Sequence, residues 1–127
     1  MTLLLDTTVL IDVLRDRPGR RAMLAELTRA GHSLITTAIN AAEVYAGMRH
    51  GEEQRTQSFL DTLDCFPITT SMGIRAGRLK SDLARRGRTM SLADAVVAAA
   101  AMEQEAALVT DNRKDFADAG VRFFPPE

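Results

Sequence analysis

The stretch MTLLLDTTVLIDVLR, residues 1–15, sets three consecutive leucines against a single aspartate and follows them with apolar residues at helical spacing, Val9, Leu10, Val13 and Leu14. So short an apolar run reads as a strand buried on both faces, and the pattern after it as a helix. Asp6 falls at the junction, where an uncharged turn residue would serve equally well. The same alternation continues along the chain. SLITT (33–37), CFPITT (65–70), ALVT (107–110) and VRFF (121–124) read as further short, fully buried strands. Met23, Leu24 and Leu27, then Ile39, Val44 and Met48, then Phe59, Leu60 and Leu63 mark helices between them. Strands alternating with helices predict an α/β fold: a short parallel sheet of four to five strands flanked by helices on both faces. With no repeat, linker or low-complexity tract, residues 1–127 are expected to form a single domain.

Composition narrows the function. Apolar residues make up 46% and charged residues 26% of the chain, with a formal net charge of -1, so any contact with nucleic acid must be local rather than a coat of positive charge. Cys65 is the single cysteine and His32 and His50 the only histidines, which leaves too few ligands for soft-metal chemistry. The opening leucines are too few for a signal peptide and AVVAAAAM (95–102) too short for a membrane span, so a cytoplasmic protein without a membrane partner is expected.

In a parallel sheet packed by helices, the strand carboxyl ends share an edge with helix N-termini, and ligands bind along that edge. Four acids map there. Asp6 follows the first strand. Glu43, in TTAINAAEVYAGM (36–48), is expected in the first turn of the helix after the second strand. Asp94, in SLADAVVAAAAM (91–102), opens an alanine-rich helix that should lie close against the sheet, and Asp111 follows ALVT with Asn112 and Asp115 just beyond. Singly, each is explained by helix capping or the helix dipole; SLAD matches a capping box and NAAE (40–43) resembles one. Gathered on one edge they repel unless a cation neutralises them, and oxygen donors without His or Cys select Mg²⁺ or Mn²⁺. Residues 71–90, SMGIRAGRLKSDLARRGRTM, add a local cluster of cations, Arg75, Arg78, Lys80, Arg85, Arg86 and Arg88 against Asp82, suited to contacting phosphates beside such a site.

The motifs LLLDTTVLIDVL, TTAINAAEVYAGM, SLADAVVAAAAM and LVTDNRKDF resemble, in order and spacing over essentially the whole chain, those of PIN-domain nucleases, and most closely the VapC-type toxins of prokaryotic toxin–antitoxin pairs. The resemblance implies a three-layer PIN-like fold and an Mg²⁺- or Mn²⁺-dependent endoribonuclease that hydrolyses RNA with metal-activated water. It also implies homodimerisation and inhibition by a cognate VapB-like antitoxin. Asp6, Glu43 and Asp94 match the family's three catalytic, metal-binding acids. At the fourth position Asn112 stands between Asp111 and Asp115; Asp111 is the expected outer metal ligand. Thr7 and Thr110 match small hydroxyl positions that orient ligands or water. The rival is a receiver-like Mg²⁺-binding signalling module without nuclease activity. It would need paired acids after the first strand and a phosphoacceptor Asp after the third, where CFPITTSM has none.

Overall fold

The computed structural model describes residues 1–126. Strands β1 (Thr2–Leu5), β2 (Ser33–Thr37), β3 (Asp64–Phe66) and β4 (Ala107–Val109) form one parallel sheet in the order β3-β2-β1-β4. Helices α1 (Thr7–Leu14) and α2 (Arg20–Arg29) connect β1 to β2, and α3 (Ala38–Ala46) and α4 (Glu53–Leu60) connect β2 to β3. Helices α5 (Thr70–Arg85) and α6 (Leu92–Glu103) lead to β4, and a 3₁₀ turn (Arg113–Phe116) follows it. VRFF does not make a fifth strand: it is reduced to one parallel bridge between Phe123 and Leu108.

The pleat sends alternate residues to opposite layers. Leu3, Leu5, Ala107 and Val109 pack with Val9, Leu10 and Val13 of α1, Leu24 of α2 and Leu60 of α4. Leu4, Ile35 and Leu108 pack on the other face with α6 and with Met72, Ala76 and Leu83 of α5. Ala95 through Ala101 are all buried, so the middle of α6 has no solvent face, while Leu92 at its start is exposed; the small side chains let the sheet and α5 close on it from both sides. β3 departs from the expected buried strand. It is the sheet's edge, three residues long, with Asp64 and Cys65 exposed, a polar rim that discourages further strand pairing.

Steps from β1 to β2 to β3 move one way across the sheet, and the chain then crosses back to lay β4 on the far side of β1. The carboxyl ends of β1 and β4 therefore flank the point where the strand order reverses, the place where such sheets bind ligands. There the Asp6 N–H donates to the Val109 carbonyl at 3.0 Å, holding the two strand exits side by side.

Candidate metal centre and its basic rim

Asp6 occupies the N-cap position of α1 but makes no capping hydrogen bond. Its side chain is 7% exposed, and one carboxylate oxygen accepts the Thr110 hydroxyl at 2.8 Å from across the strand exits. Capping, the ordinary reason for an aspartate there, does not account for it. Burial pushes the Asp6 pKa up; hydrogen bonds from Thr110 and the Thr7 backbone pull against this, while Glu43 and Asp115 add to it. Asp94 behaves alike. Its backbone N–H is capped by the Ser91 hydroxyl at 3.1 Å, as SLAD predicts, and its carboxyl is half-buried. Burial raises its pKa first, a Ser91 hydrogen bond lowers it, and Asp6, Asp115 and Glu43 raise it again.

Glu43 comes from the second turn of α3 rather than the first, because the helix begins at Ala38 and its cap is Thr37, whose hydroxyl accepts the Asn40 N–H. NAAE is thus no capping box. The Glu43 carboxylate accepts the Thr7 hydroxyl at 2.6 Å. Asp6 lies at the buried centre, with Asp94 half-buried and Glu43 and Asp115 exposed at the rim. Among the described residues, no three His, Cys, Asp or Glu side chains already stand as a set that could hold an ion. The acids nonetheless bear on one another electrostatically: Glu43 and Asp115 raise the pKa of Asp6, and Asp6, Asp115 and Glu43 raise that of Asp94.

Asp111 is engaged elsewhere. Its carboxylate pairs with Arg20 of α2, which also holds Asp12 at 2.9 Å, and it is not among the groups that perturb Asp6 or Asp94. Asp115, one turn further on, is among them. The expected place of Asp111 in the metal set therefore finds no support in this geometry, since Arg20 already neutralises it. Asp118 is likewise paired, with Arg88. No ion pair is formed by Asp6, Glu43, Asp94 or Asp115 among the described residues, so the fold supplies cations to the neighbouring acids and withholds them from these four. An all-oxygen, negatively charged donor set with a partly desolvated carboxyl at its centre fits a hard divalent cation.

The basic segment divides in two. Helix α5 runs antiparallel to α6: at one end Ser71 and Arg75 donate to Glu103, at 2.9 and 3.2 Å, and at the other Lys80 donates to the Met90 carbonyl at 2.5 Å. Gly87, at φ 77°, makes the turn between the helices. Arg75 is thereby carried to the end of α6 away from Asp94, whereas Arg85, Arg86 and Arg88 come to the Asp94 end. Arg85 pairs with Asp82 at 2.7 Å; Arg86 forms no ion pair among the described residues.

Asn40 and Arg20 are the residues that sequence reasoning missed. Asn40 is fully buried between Thr37, Asp6 and Thr7. Its three-residue spacing from Thr37 was the available signal. Nothing local marks Arg20, whose partner Asp111 lies 91 residues away.

The PIN domain family model matches residues 3–121. Among curated proteins, the chain is 29% identical to Ribonuclease VapC19 of Mycobacterium tuberculosis over 113 residues, 89% of this chain and 90% of that one. It is 25% identical to Ribonuclease VapC2 of Rickettsia felis over 121 residues, 91% of this chain and 90% of that one. Among solved structures, a toxin–antitoxin complex from Klebsiella pneumoniae matches at 30% identity with a TM-score of 0.74, covering 91% of each chain. VapBC2 of Rickettsia felis, bound to a DNA fragment from its promoter, matches in fold at a TM-score of 0.80 and 23% identity, covering 97% of this chain and 96% of that one. With a match that runs from the first strand to beyond the 3₁₀ turn, and a sheet whose order reverses where Asp6 is buried, the chain belongs to the PIN domain family.

Proposed function

We propose that this chain is a metal-dependent endoribonuclease and the toxin of a toxin–antitoxin pair, with Asp6, Glu43 and Asp94 as its catalytic and metal-binding acids and Asp115, rather than Asp111, as their outer partner. The observation that carries the reading is the set of four acids at the strand exits left without basic partners. The ribonuclease names of the curated relatives and the toxin–antitoxin complex from Klebsiella pneumoniae support it. When bound, Mg²⁺ or Mn²⁺ would activate water as a nucleophile and offset charge building on the phosphate. Asp6 anchors the centre, held by Thr110; Asp94 presents its carboxylate from a capped helix start; Glu43, aimed by Thr7, orients the water or completes the donor set. The receiver-like alternative finds no phosphoacceptor, since β3 ends at Phe66 and Pro67, Ile68, Thr69 and Thr70 follow it.

The partner proposed is a VapB-like antitoxin, and the toxin is proposed to act as a cytoplasmic homodimer. An open groove of about 700 Å³ lies between α1, α2 and α4, lined by Leu14, Leu24, Phe59 and Leu63 with Arg21 and Arg55 at its margin. An amphipathic antitoxin segment fits its apolar floor. No helix among the described residues is long and apolar enough to cross a membrane.

Chelator-treated protein should not cleave RNA, and added Mg²⁺ or Mn²⁺ should restore cleavage; undiminished cleavage in chelator overturns the reading. The rim makes a separate prediction. If Arg85 and Arg86 each neutralise one phosphate of single-stranded RNA, replacing both with Ala should flatten the slope of log K against log salt by about 1.4, while replacing Arg75 leaves it unchanged. An unchanged slope in the double variant would return these arginines to a solvated surface.

A further inference from the structure

Asn40 is 0% exposed and stands between the two acids that no backbone element connects directly. The Thr37 hydroxyl donates to its Oδ1 at 2.6 Å. Its Nδ2 donates to Thr7 Oγ1 at 3.0 Å and, at a longer 3.5 Å, to Asp6 Oδ1. Thr7 in turn donates its hydroxyl proton to Glu43 Oε1. The orientation of the amide follows from its neighbours. Thr37 Oγ1 accepts the Asn40 backbone N–H at 3.3 Å, which leaves its proton for Oδ1; Thr7 spends its proton on Glu43, which leaves its oxygen for Nδ2. Each hydrogen is used once. A neutral group with two N–H donors can face Asp6 and the Thr7 hydroxyl together without adding charge to a site already crowded with carboxylates.

We propose that Asn40 is a positioning residue: through its contact with Asp6 and its relay through Thr7 to Glu43, it sets how those two carboxylates are presented to a divalent cation. The proposal rests on reading Asp6 and Glu43 as metal ligands. Partners of ligating carboxylates fix the ligand's orientation, and losing them typically costs about ten- to a hundredfold in metal affinity. Because Thr7 acts on Glu43 downstream of Asn40, the two residues should not contribute independently.

The test is Mn²⁺ binding to the full chain, read from the EPR signal of the free ion, in wild type, Asp6→Asn, Asn40→Leu, Thr7→Val and the Asn40/Thr7 double variant. Leucine keeps asparagine's branching and its number of heavy atoms while removing the hydrogen bonds; its two methyl groups are bulkier than the amide, so Asn40→Leu is read beside Thr7→Val. The expected result is at least about tenfold weaker Mn²⁺ binding in Asn40→Leu, a smaller loss in Thr7→Val, and a double variant equal to Asn40→Leu alone. Should Asn40→Leu fail to fold, Thr7→Val decides alone, because Thr7 is only partly buried and valine keeps its shape. Wild-type affinity in the variants that fold, or losses that add in the double variant, would overturn the proposal while Asp6→Asn still loses binding. Mn²⁺ binding that is absent in wild type, or unaffected by Asp6→Asn, would overturn the metal reading beneath it as well.

Discussion

Asp6→Asn is expected to lower RNA cleavage by more than about a hundredfold, beyond the range typical for losing a group behind the ligands, because it removes the ligand itself. The fold should survive. Asparagine can still accept the Thr110 hydroxyl through Oδ1, and its backbone N–H still reaches Val109. Stability without metal should be unchanged or higher at neutral pH. Burial raises the folded-state pKa of Asp6 and Asp94 above the ordinary value of 3.8, so each carboxyl favours the fold in its neutral form. That contribution is whole below pH 3.8 and is lost as pH rises through the raised folded values. The advantage of Asp6→Asn over wild type should therefore be absent in acid and grow toward neutrality. Saturating Mg²⁺ reverses the comparison, since it stabilises only the protein that binds it. Thermal melts across pH, with and without Mg²⁺, read all three effects. Wild-type cleavage rates in this variant, with contaminating nuclease excluded, would remove Asp6 from the chemistry.

Phe116→Ala should cost about 3–5 kcal/mol, the usual range for truncating a buried phenylalanine, in a domain whose whole stability is of order 5–15 kcal/mol. Phe116 is 1% exposed and packs into the same cluster as the α6 alanines and Leu108. It is the only buried residue of the 3₁₀ turn, so it is what seats Asp115 beside the other acids. A urea titration should give a lower midpoint with a near-normal slope, and activity should fall even well below the midpoint as Asp115 loses its fixed place. The exposed neighbour Lys114, replaced by Ala, should shift stability by no more than about 0.5 kcal/mol. A Phe116→Ala midpoint equal to wild type would mean that the turn is not held by this side chain.

The strand-to-helix steps were legible because burial writes itself locally: LLL, SLIT and ALV have no polar alternative to a covered sheet, and the alanine run of α6 announces close packing. The burial of β3 is not legible in the same way: an apolar Phe66 beside Cys65 looks buried until the strand order places it at the edge. Asn40 resembles a cap in sequence and so puts the first turn of α3 three residues late, when Thr37 already fills that place. Asp6 and Asp94 could be read as candidate site residues from their positions at element junctions. Which of Asp111 and Asp115 is paired with a cation could not be read, since it depends on where α2 delivers Arg20, a pairing across 91 residues. In sequence the cations of residues 71–90 form a single local cluster. Its division follows from α5 lying antiparallel to α6, and periodicity carries no information about direction.

The most direct test of the central claim is the chemistry of the RNA ends released by the chelated and metal-restored protein. Water attacking phosphorus with departure of the 3′-oxygen leaves a 5′-phosphate and a 3′-hydroxyl, and such ends should form only when Mg²⁺ or Mn²⁺ is returned. Cleavage that continues in chelator and leaves 2′,3′-cyclic phosphates, the mark of attack by the RNA's own 2′-hydroxyl, would contradict it.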